Sequence, residues 1–304
     1  MLAIAGDSAA GKTTLTRGLV AALDHGAGSS ICVDDYHRYD REERKELPFT
    51  PLDPACNHIG IMDQHLQLLA RGETILKPVY NHEHGTLDRP VLYEPTEHVI
   101  VEGLLPLHSR QAQALFDLSV YLDPPEEIRA AWKVKRDTRD RGYEVEQVQA
   151  DLQRREPDSA AFIRPQRKVA DIVVRFAPIE ERGETTADPL SATILLRPTA
   201  PHPDLQRILG DEHRAAIHLK LMRDEDGKPV DALHLHAYAP QAAIREIEQT
   251  IWDEIGVGTD LPESLGVVDG ERSEPLAMVQ LILLHHLLTA RRETGAELDV
   301  SVGG

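Results

Sequence analysis

Short apolar runs alternate with segments of helical spacing from the N-terminus to about Ala177. Leu2 to Ala5 is apolar and stops at Gly6, which predicts a strand, and Leu15, Leu19, Val20 and Leu23 recur at helical spacing, which predicts a helix from Thr13 to Leu23. A Gly/Ser loop from His25 to Ser30 leads into a second strand, Ser30 to Val33, that ends in Asp34 and Asp35. Residues 36 to 57 are polar and proline-bearing and read as a long loop with one turn of helix; such loops in compact domains are often functional. A helix follows from Ile61 to Ala70, then strands Thr74 to Tyr80 and Val91 to Tyr93 about a turn at His84-Gly85. His98 to Val101 is a strand leading to Glu102-Gly103, Gln111 to Leu115 a short helix, and Asp117 to Leu122 a strand. Helices Pro125 to Gly142 and Glu144 to Arg155 and a strand Ile172 to Phe176 complete the series.

Strands alternating with helices predict an α/β domain with a mainly parallel sheet. The pattern weakens after Ala177. A polar, linker-like stretch from Glu180 to Asp188 precedes strands Ser191 to Leu196, Ala216 to Met222 and Ala232 to Ala237. The Asp224 to Gly227 turn makes the last two a hairpin. Helices Gln241 to Ile255 and Glu274 to Arg292 follow. The expected division is a first domain over 1–178 and an α+β region over 179–304.

Composition narrows the function. Hydrophobic residues are 41% and charged residues 28% of 304, a globular balance that argues against disorder. The formal charge of −18 disfavours nucleic acid as a partner, since phosphate backbones need a basic surface. No apolar run approaches the ~18 residues of a membrane span, so no membrane partner is expected. The first residues lack a basic n-region, so a cytoplasmic location is expected. Two cysteines, Cys32 and Cys56, are too few for a disulfide framework or a four-ligand zinc site. Between Arg129 and Arg141 stand six basic residues (Arg129, Lys133, Lys135, Arg136, Arg139, Arg141) against Asp137 and Asp140. On charge alone this reads as a solvated helix face with i,i+4 pairs.

The sharpest signal is Gly6-Asp7-Ser8-Ala9-Ala10-Gly11-Lys12-Thr13, which fits G-x-x-x-x-G-K-[ST] between a strand and a helix. Backbone N–H groups of such a loop wrap phosphate oxygens, aided by the helix N-terminus. Lys12 is then expected to reach the β/γ-phosphates of ATP and Thr13 to ligate Mg²⁺, with Thr14 completing the nucleotide loop. Two further strands end in acids, at Asp34-Asp35 and at Glu102. In such sheets the carboxyl strand ends face the ligand, so one acid should serve the metal and another should take the proton of an attacking hydroxyl. Spacing does not choose between Asp34 and Asp35.

Taken with Ile31 to His37, Lys77 to His82, Val101 to Leu104 and Trp132 to Gly142, this loop resembles the phosphoribulokinases, the plant and cyanobacterial branch more than the proteobacterial one. The resemblance covers residues 1 to 178. It implies a P-loop NTPase-type three-layer sandwich with a C-terminal α+β extension, and the phosphorylation of ribulose 5-phosphate to ribulose 1,5-bisphosphate with ATP and Mg²⁺. It selects Asp34 as the catalytic base and Glu102, with Thr13, as the metal-associated residues. Lys133 and Arg136 are matched to cations near the transferring phosphoryl group. His37, Arg41 and Arg141 are matched to sugar-phosphate contacts, while Tyr80 and His82 either meet the substrate or pack. On this reading the basic cluster belongs to the active site. A homodimer is the expected assembly.

The plant branch carries a redox cysteine inside the phosphate loop, where this chain has Ala10; its partner position holds Cys32. Cys32, in a strand, is expected to be buried and unreactive, and Cys56, after the long loop, more exposed. Two other readings compete. A uridine-kinase-like enzyme shares the loop and the acid, but its acceptor has no phosphate for Arg41 and Arg141. A regulatory nucleotide switch is disfavoured, because no Asn/Thr-Lys-x-Asp guanine-reading motif is present.

Overall fold

The computed structural model describes residues 1–23, 26–179, 182–186, 188–197, 208–210 and 213–297. His25 of the predicted Gly/Ser loop, and Glu180, Glu181 and Ala187 of the predicted linker, lie outside them. Two compact units result: one of Met1–Thr16 and Leu23–Ala170, the other of Arg17–Ala22 and the described residues from Asp171 onward.

In the first unit, β1 (Leu2–Gly6), β2 (Gly28–Cys32), β5 (His98–Gly103) and β6 (Leu118–Leu122) form a parallel array in the order β2-β5-β1-β6. Every residue of β1, β5 and β6 is buried, as expected of parallel strands covered on both faces. The register sets Ala5 beside Gly103, Gly6 beside Leu122 and Cys32 beside Glu102. The carboxyl ends of four strands therefore share one edge. The helices are α1 (Lys12–Ala22), α2 (Ile59–Ala70), α3 (Arg110–Gln113), α4 (Glu126–Arg141) and α5 (Val145–Asp158). A separate antiparallel hairpin pairs β3 (Ile75–Asn81) with β4 (Thr86–Tyr93).

Several boundaries differ from the sequence reading. β2 begins at Gly28 and ends at Cys32, because backbone pairing with His98 and Val99 extends it into the predicted loop, while Val33–Tyr36 turns as a 3₁₀ helix. β4 starts at Thr86 and not at Val91. Among the described residues it pairs only with β3, so Pro90, which has no N–H, is tolerated beside a register shift between Lys77 and Val79. α5 runs past Arg155 through Pro157 into a π-turn at Ser159–Ile163.

The second unit holds β7 (Ile172–Ala177), β8 (Ser191–Leu196), β9 (Ile217–Arg223) and β10 (Pro229–Leu235), antiparallel in the order β7-β8-β10-β9. β7 lies here because it pairs along its whole length with β8, so the units divide at Ala170. The predicted hairpin forms, with β10 shifted towards the turn because Pro229 pairs directly with Arg223. α6 (Gln241–Ile255) packs on α7 (Glu274–Glu297), which is buried almost all round from Leu276 to Leu287. Among the described residues no helix is long and apolar enough to cross a membrane.

Candidate active site

The phosphate loop leaves β1 at Gly6, whose φ of +154° and whose hypothetical Cβ, 2.9 Å from Leu122 O, admit no side chain. Lys12 is buried; its Nζ donates to Gly6 O at 2.9 Å and Asp7 O at 2.8 Å. Asp7 is held from three directions. It accepts from Ser8 N at 2.8 Å and from the Ser159 hydroxyl, and Arg129 Nη1 lies 3.6 Å away. Arg129 Nη1 also donates to Ser8 O at 3.1 Å. Ala9, at φ +66°, Ala10, which is buried, and Gly11, at φ +96°, complete the turn into α1, where Thr14 is half-buried.

Thr13 Oγ1 donates to Glu102 Oε1 at 3.0 Å, joining the loop to the end of β5. Burial raises the Glu102 pKa above the ordinary carboxylate value; Asp34 adds to the rise, and Lys12 and the Thr13 bond oppose it. The structure distinguishes the two aspartates. Asp35 is consumed by β3, taking Lys77 Nζ on one oxygen and Tyr80 N, at 2.9 Å, on the other. Asp34 Oδ1 accepts from Leu104 N at 3.1 Å, and among the described residues its other oxygen takes no hydrogen bond. Thr13 and Glu102 offer hard oxygen donors of the kind Mg²⁺ selects, and the desolvated Glu102 beside Asp34 favours a cation there. Among the described residues no group of three or more His, Cys, Asp or Glu could hold a metal alone, so such an ion needs phosphate oxygens and water as well.

The rings of His37, Tyr80 and His82 stack edge to face, at 4.9 Å between the first two and 5.0 Å between the last two. Arg41 donates to His82 O at 2.6 Å and Glu83 O at 3.4 Å, holding the tip of the hairpin. Desolvation lowers the His82 pKa, with Arg141 and Arg136 acting in the same direction and Asp34 and Asp35 opposing. The His82 ring of the hairpin thus feels both the cations of α4 and the two aspartates.

On α4 the buried face is charged: Arg129, Lys133 and Asp137 follow at four-residue intervals, each almost inaccessible. This corrects the solvated-face reading for Arg129 and Lys133, while Lys135, Arg139 and Arg141 are exposed and the expected i,i+4 pairs of Asp137 with Lys133 and Arg141 form. Lys133 Nζ lies 2.6 Å from Asp137 Oδ2 and 3.4 Å from Asp151 Oδ2 on α5. Arg136 Nε donates to Asp137 Oδ1 at 2.8 Å, and Arg141 Nη1 lies 3.4 Å from the same oxygen. A single buried carboxylate therefore gathers all three predicted cations. Sequence reasoning placed Arg129 and Asp137 in the charged cluster but gave neither a role of its own, and it missed Ser159. It also missed Arg44, buried in the long loop, which donates to the Tyr80 hydroxyl and lies over that ring at 4.8 Å. The exposures expected of the cysteines are reversed: Cys56 is fully buried and Cys32 only half-buried. Cys56 ends a 3₁₀ turn folded under the loop, whereas Cys32 stands at a strand end beside the site. Burial, then Asp34 and Glu102, push the Cys32 thiol pKa well up, and burial raises that of Cys56 to about 11.

A parallel sheet whose carboxyl edge carries a phosphate loop and two acids defines the P-loop NTPase-type α/β class. Within that class the chain belongs to the Phosphoribulokinase / Uridine kinase family, whose model matches residues 1–181. It is 41% identical over 178 residues to phosphoribulokinase of Synechocystis sp., covering 59% of this chain and 54% of that one. Identity to the chloroplastic phosphoribulokinase of Spinacia oleracea is 35% over 197 residues, 59% of this chain and 49% of the relative. A uridine kinase of Listeria innocua is 32% identical over 183 residues, 57% of this chain and 85% of its own. The chain spans about half the length of the phosphoribulokinases it matches. The solved structure of phosphoribulokinase from Rhodobacter spheroides superposes with a TM-score of 0.60 at 18% identity, over 84% of this chain and 96% of that one, a likeness of fold.

Proposed function

We propose that the chain transfers the γ-phosphate of ATP to a hydroxyl of a sugar phosphate, with ribulose 5-phosphate as acceptor and ribulose 1,5-bisphosphate as product. The observation that carries this reading is the contrast at the end of β2: Asp35 is tied to Lys77 and Tyr80 N, while Asp34 keeps an oxygen for a proton. In the proposed reaction Asp34 takes the hydroxyl proton as that oxygen attacks the γ-phosphorus, and the bond to the β–γ bridging oxygen breaks to release ADP. Lys12 exchanges the carbonyls of Gly6 and Asp7 for phosphate oxygens. Thr13 and Glu102 would hold Mg²⁺, which supplies charge neutralisation on the phosphates. Lys133 and Arg136 offer positive charge to the transferring group, and Arg41 and Arg141 to the acceptor's own phosphate. Phosphotransfer is assigned to residues 1–178, with 179–304 as an extension, and the homodimer is the proposed assembly, to be read by light scattering.

A nucleoside acceptor is the second reading, favoured by the match over most of a uridine kinase. A coupled ADP-release assay with ribulose 5-phosphate, uridine, pantothenate and no acceptor decides. Turnover with ribulose 5-phosphate alone is expected; turnover with uridine alone refutes the sugar-phosphate reading.

A further inference from the structure

The long loop after β2 closes through Asn57. Its Nδ2 donates to Pro51 O at 3.0 Å and Asp53 O at 2.9 Å, and its Oδ1 lies 2.6 Å from His37 Nδ1. Carbonyl oxygens only accept, so turning the amide end for end would set its oxygen against both of them. Oδ1 is likewise an acceptor, and the proton in the contact with His37 therefore sits on Nδ1. An isolated β-bridge joins the same two residues, and both are buried, so neither side chain is free to turn away.

The charge state follows from the surroundings. Burial holds the His37 pKa down to about 4; Arg44 and His82 act in the same direction, while Asp34 and the Asn57 bond oppose. At neutral pH the ring is uncharged, and with its proton on Nδ1 it keeps a bare lone pair on Nε2. The two nitrogens of an imidazole face in widely different in-plane directions, so with Nδ1 on Asn57 the Nε2 lone pair is left for another partner. The ring packs on Tyr80 at 4.9 Å and feels Asp34 and His82, the groups of the candidate acceptor site.

We propose that Asn57 is a positioning residue that fixes His37 in the Nδ1–H tautomer, so that Nε2 meets the acceptor as a hydrogen-bond acceptor for one of its hydroxyl groups. This rests on the sugar-phosphate reading above and alters one part of it: His37 reads a polyol hydroxyl, and the phosphate is left to the arginines. A sugar phosphate lacking that hydroxyl, or an enzyme whose ring is locked in the other tautomer, loses one hydrogen bond.

Histidine-selective ¹⁵N labelling of the whole chain tests the tautomer directly. Long-range ¹H–¹⁵N correlation at neutral pH reads which nitrogen is protonated, with His37→Phe identifying the signals. A protonated Nδ1 and a bare Nε2 are expected in the wild type, and a gain of the Nε2–H form in Asn57→Leu, a substitution of similar volume. An Nε2–H ring or an imidazolium in the wild type overturns the proposal, as does an unchanged tautomer in Asn57→Leu. Should that variant fail to fold, the wild-type spectrum decides. In kinetics, Asn57→Leu is expected to raise the KM for ribulose 5-phosphate about 2- to 10-fold with the KM for ATP unchanged. A normal acceptor KM alongside an altered tautomer overturns the role of Nε2. Absence of turnover with ribulose 5-phosphate in the wild type refutes the function itself and leaves the tautomer to the spectra.

Discussion

Gly103 is the position where packing and chemistry meet, and its replacement by alanine tests both. The residue ends β5 at a φ of +150°, and a Cβ there would lie 2.5 Å from Val33 Cγ2 and 3.0 Å from Asp34 Oδ1. The collision with Val33 costs ~1–3 kcal/mol of overpacking, and an L-residue in that backbone region costs ~1–3 kcal/mol more. Together ~2–6 kcal/mol lower Tm by about 4–24 °C for a unit of this size. The Asp34 carboxylate is pushed as well, and misplacement of a reacting group by ~1 Å costs about 10²-fold in rate. Gly72→Ala is the control: its φ is +75°, nothing lies within 4 Å of the added Cβ, and it follows the C-terminal end of α2. It should lose ~1–2 kcal/mol and keep its turnover. Calorimetry and the coupled ADP assay are run on both. Gly103→Ala with the melting temperature of the control and wild-type kcat would refute the reasoning.

Asp34→Asn should keep its bond from Leu104 N and bind ATP normally while kcat falls at least ~10²-fold; near-normal turnover removes Asp34 as the base. Arg141→Ala should weaken the sugar phosphate about 10- to 150-fold and ATP far less. Arg41→Ala should do the same and also loosen the hairpin, because its guanidinium holds His82 O and Glu83 O. If both variants raised only the KM for ATP, the acceptor assignment would fall. No thiol–disulfide switch of the plant kind is expected, since Ala10 stands in the phosphate loop and both thiols are held protonated. A large activity loss in oxidised dithiothreitol, reversed by reduction and absent in Cys32→Ser, would overturn this.

Local spacing made most of the elements readable. The phosphate loop, the apolar strands and the helices each depend on interactions within one turn or one run, so Gly6 to Thr13 and the full length of α6 could be read directly. Glu102 and Asp34 at neighbouring strand ends followed from the general geometry of parallel sheets. Spacing left Asp34 and Asp35 equivalent, and the resemblance chose Asp34 without a physical reason. The folded chain supplies one, by bringing Lys77 and the Tyr80 amide against Asp35. The same holds for Asn57, whose partners are Pro51, Asp53 and His37, and for α4, whose charged stripe looks solvated until the phosphate loop and Asp151 close over it. It holds for the cysteines, whose exposures came out opposite to expectation because a 3₁₀ turn buries one and a strand end leaves the other beside the site. Sequence patterns encode which way a residue leans on its own element. Which distant group it meets is decided by chain topology, because hydrogen-bond and ion partners are chosen by proximity after the backbone has closed loops tens of residues long.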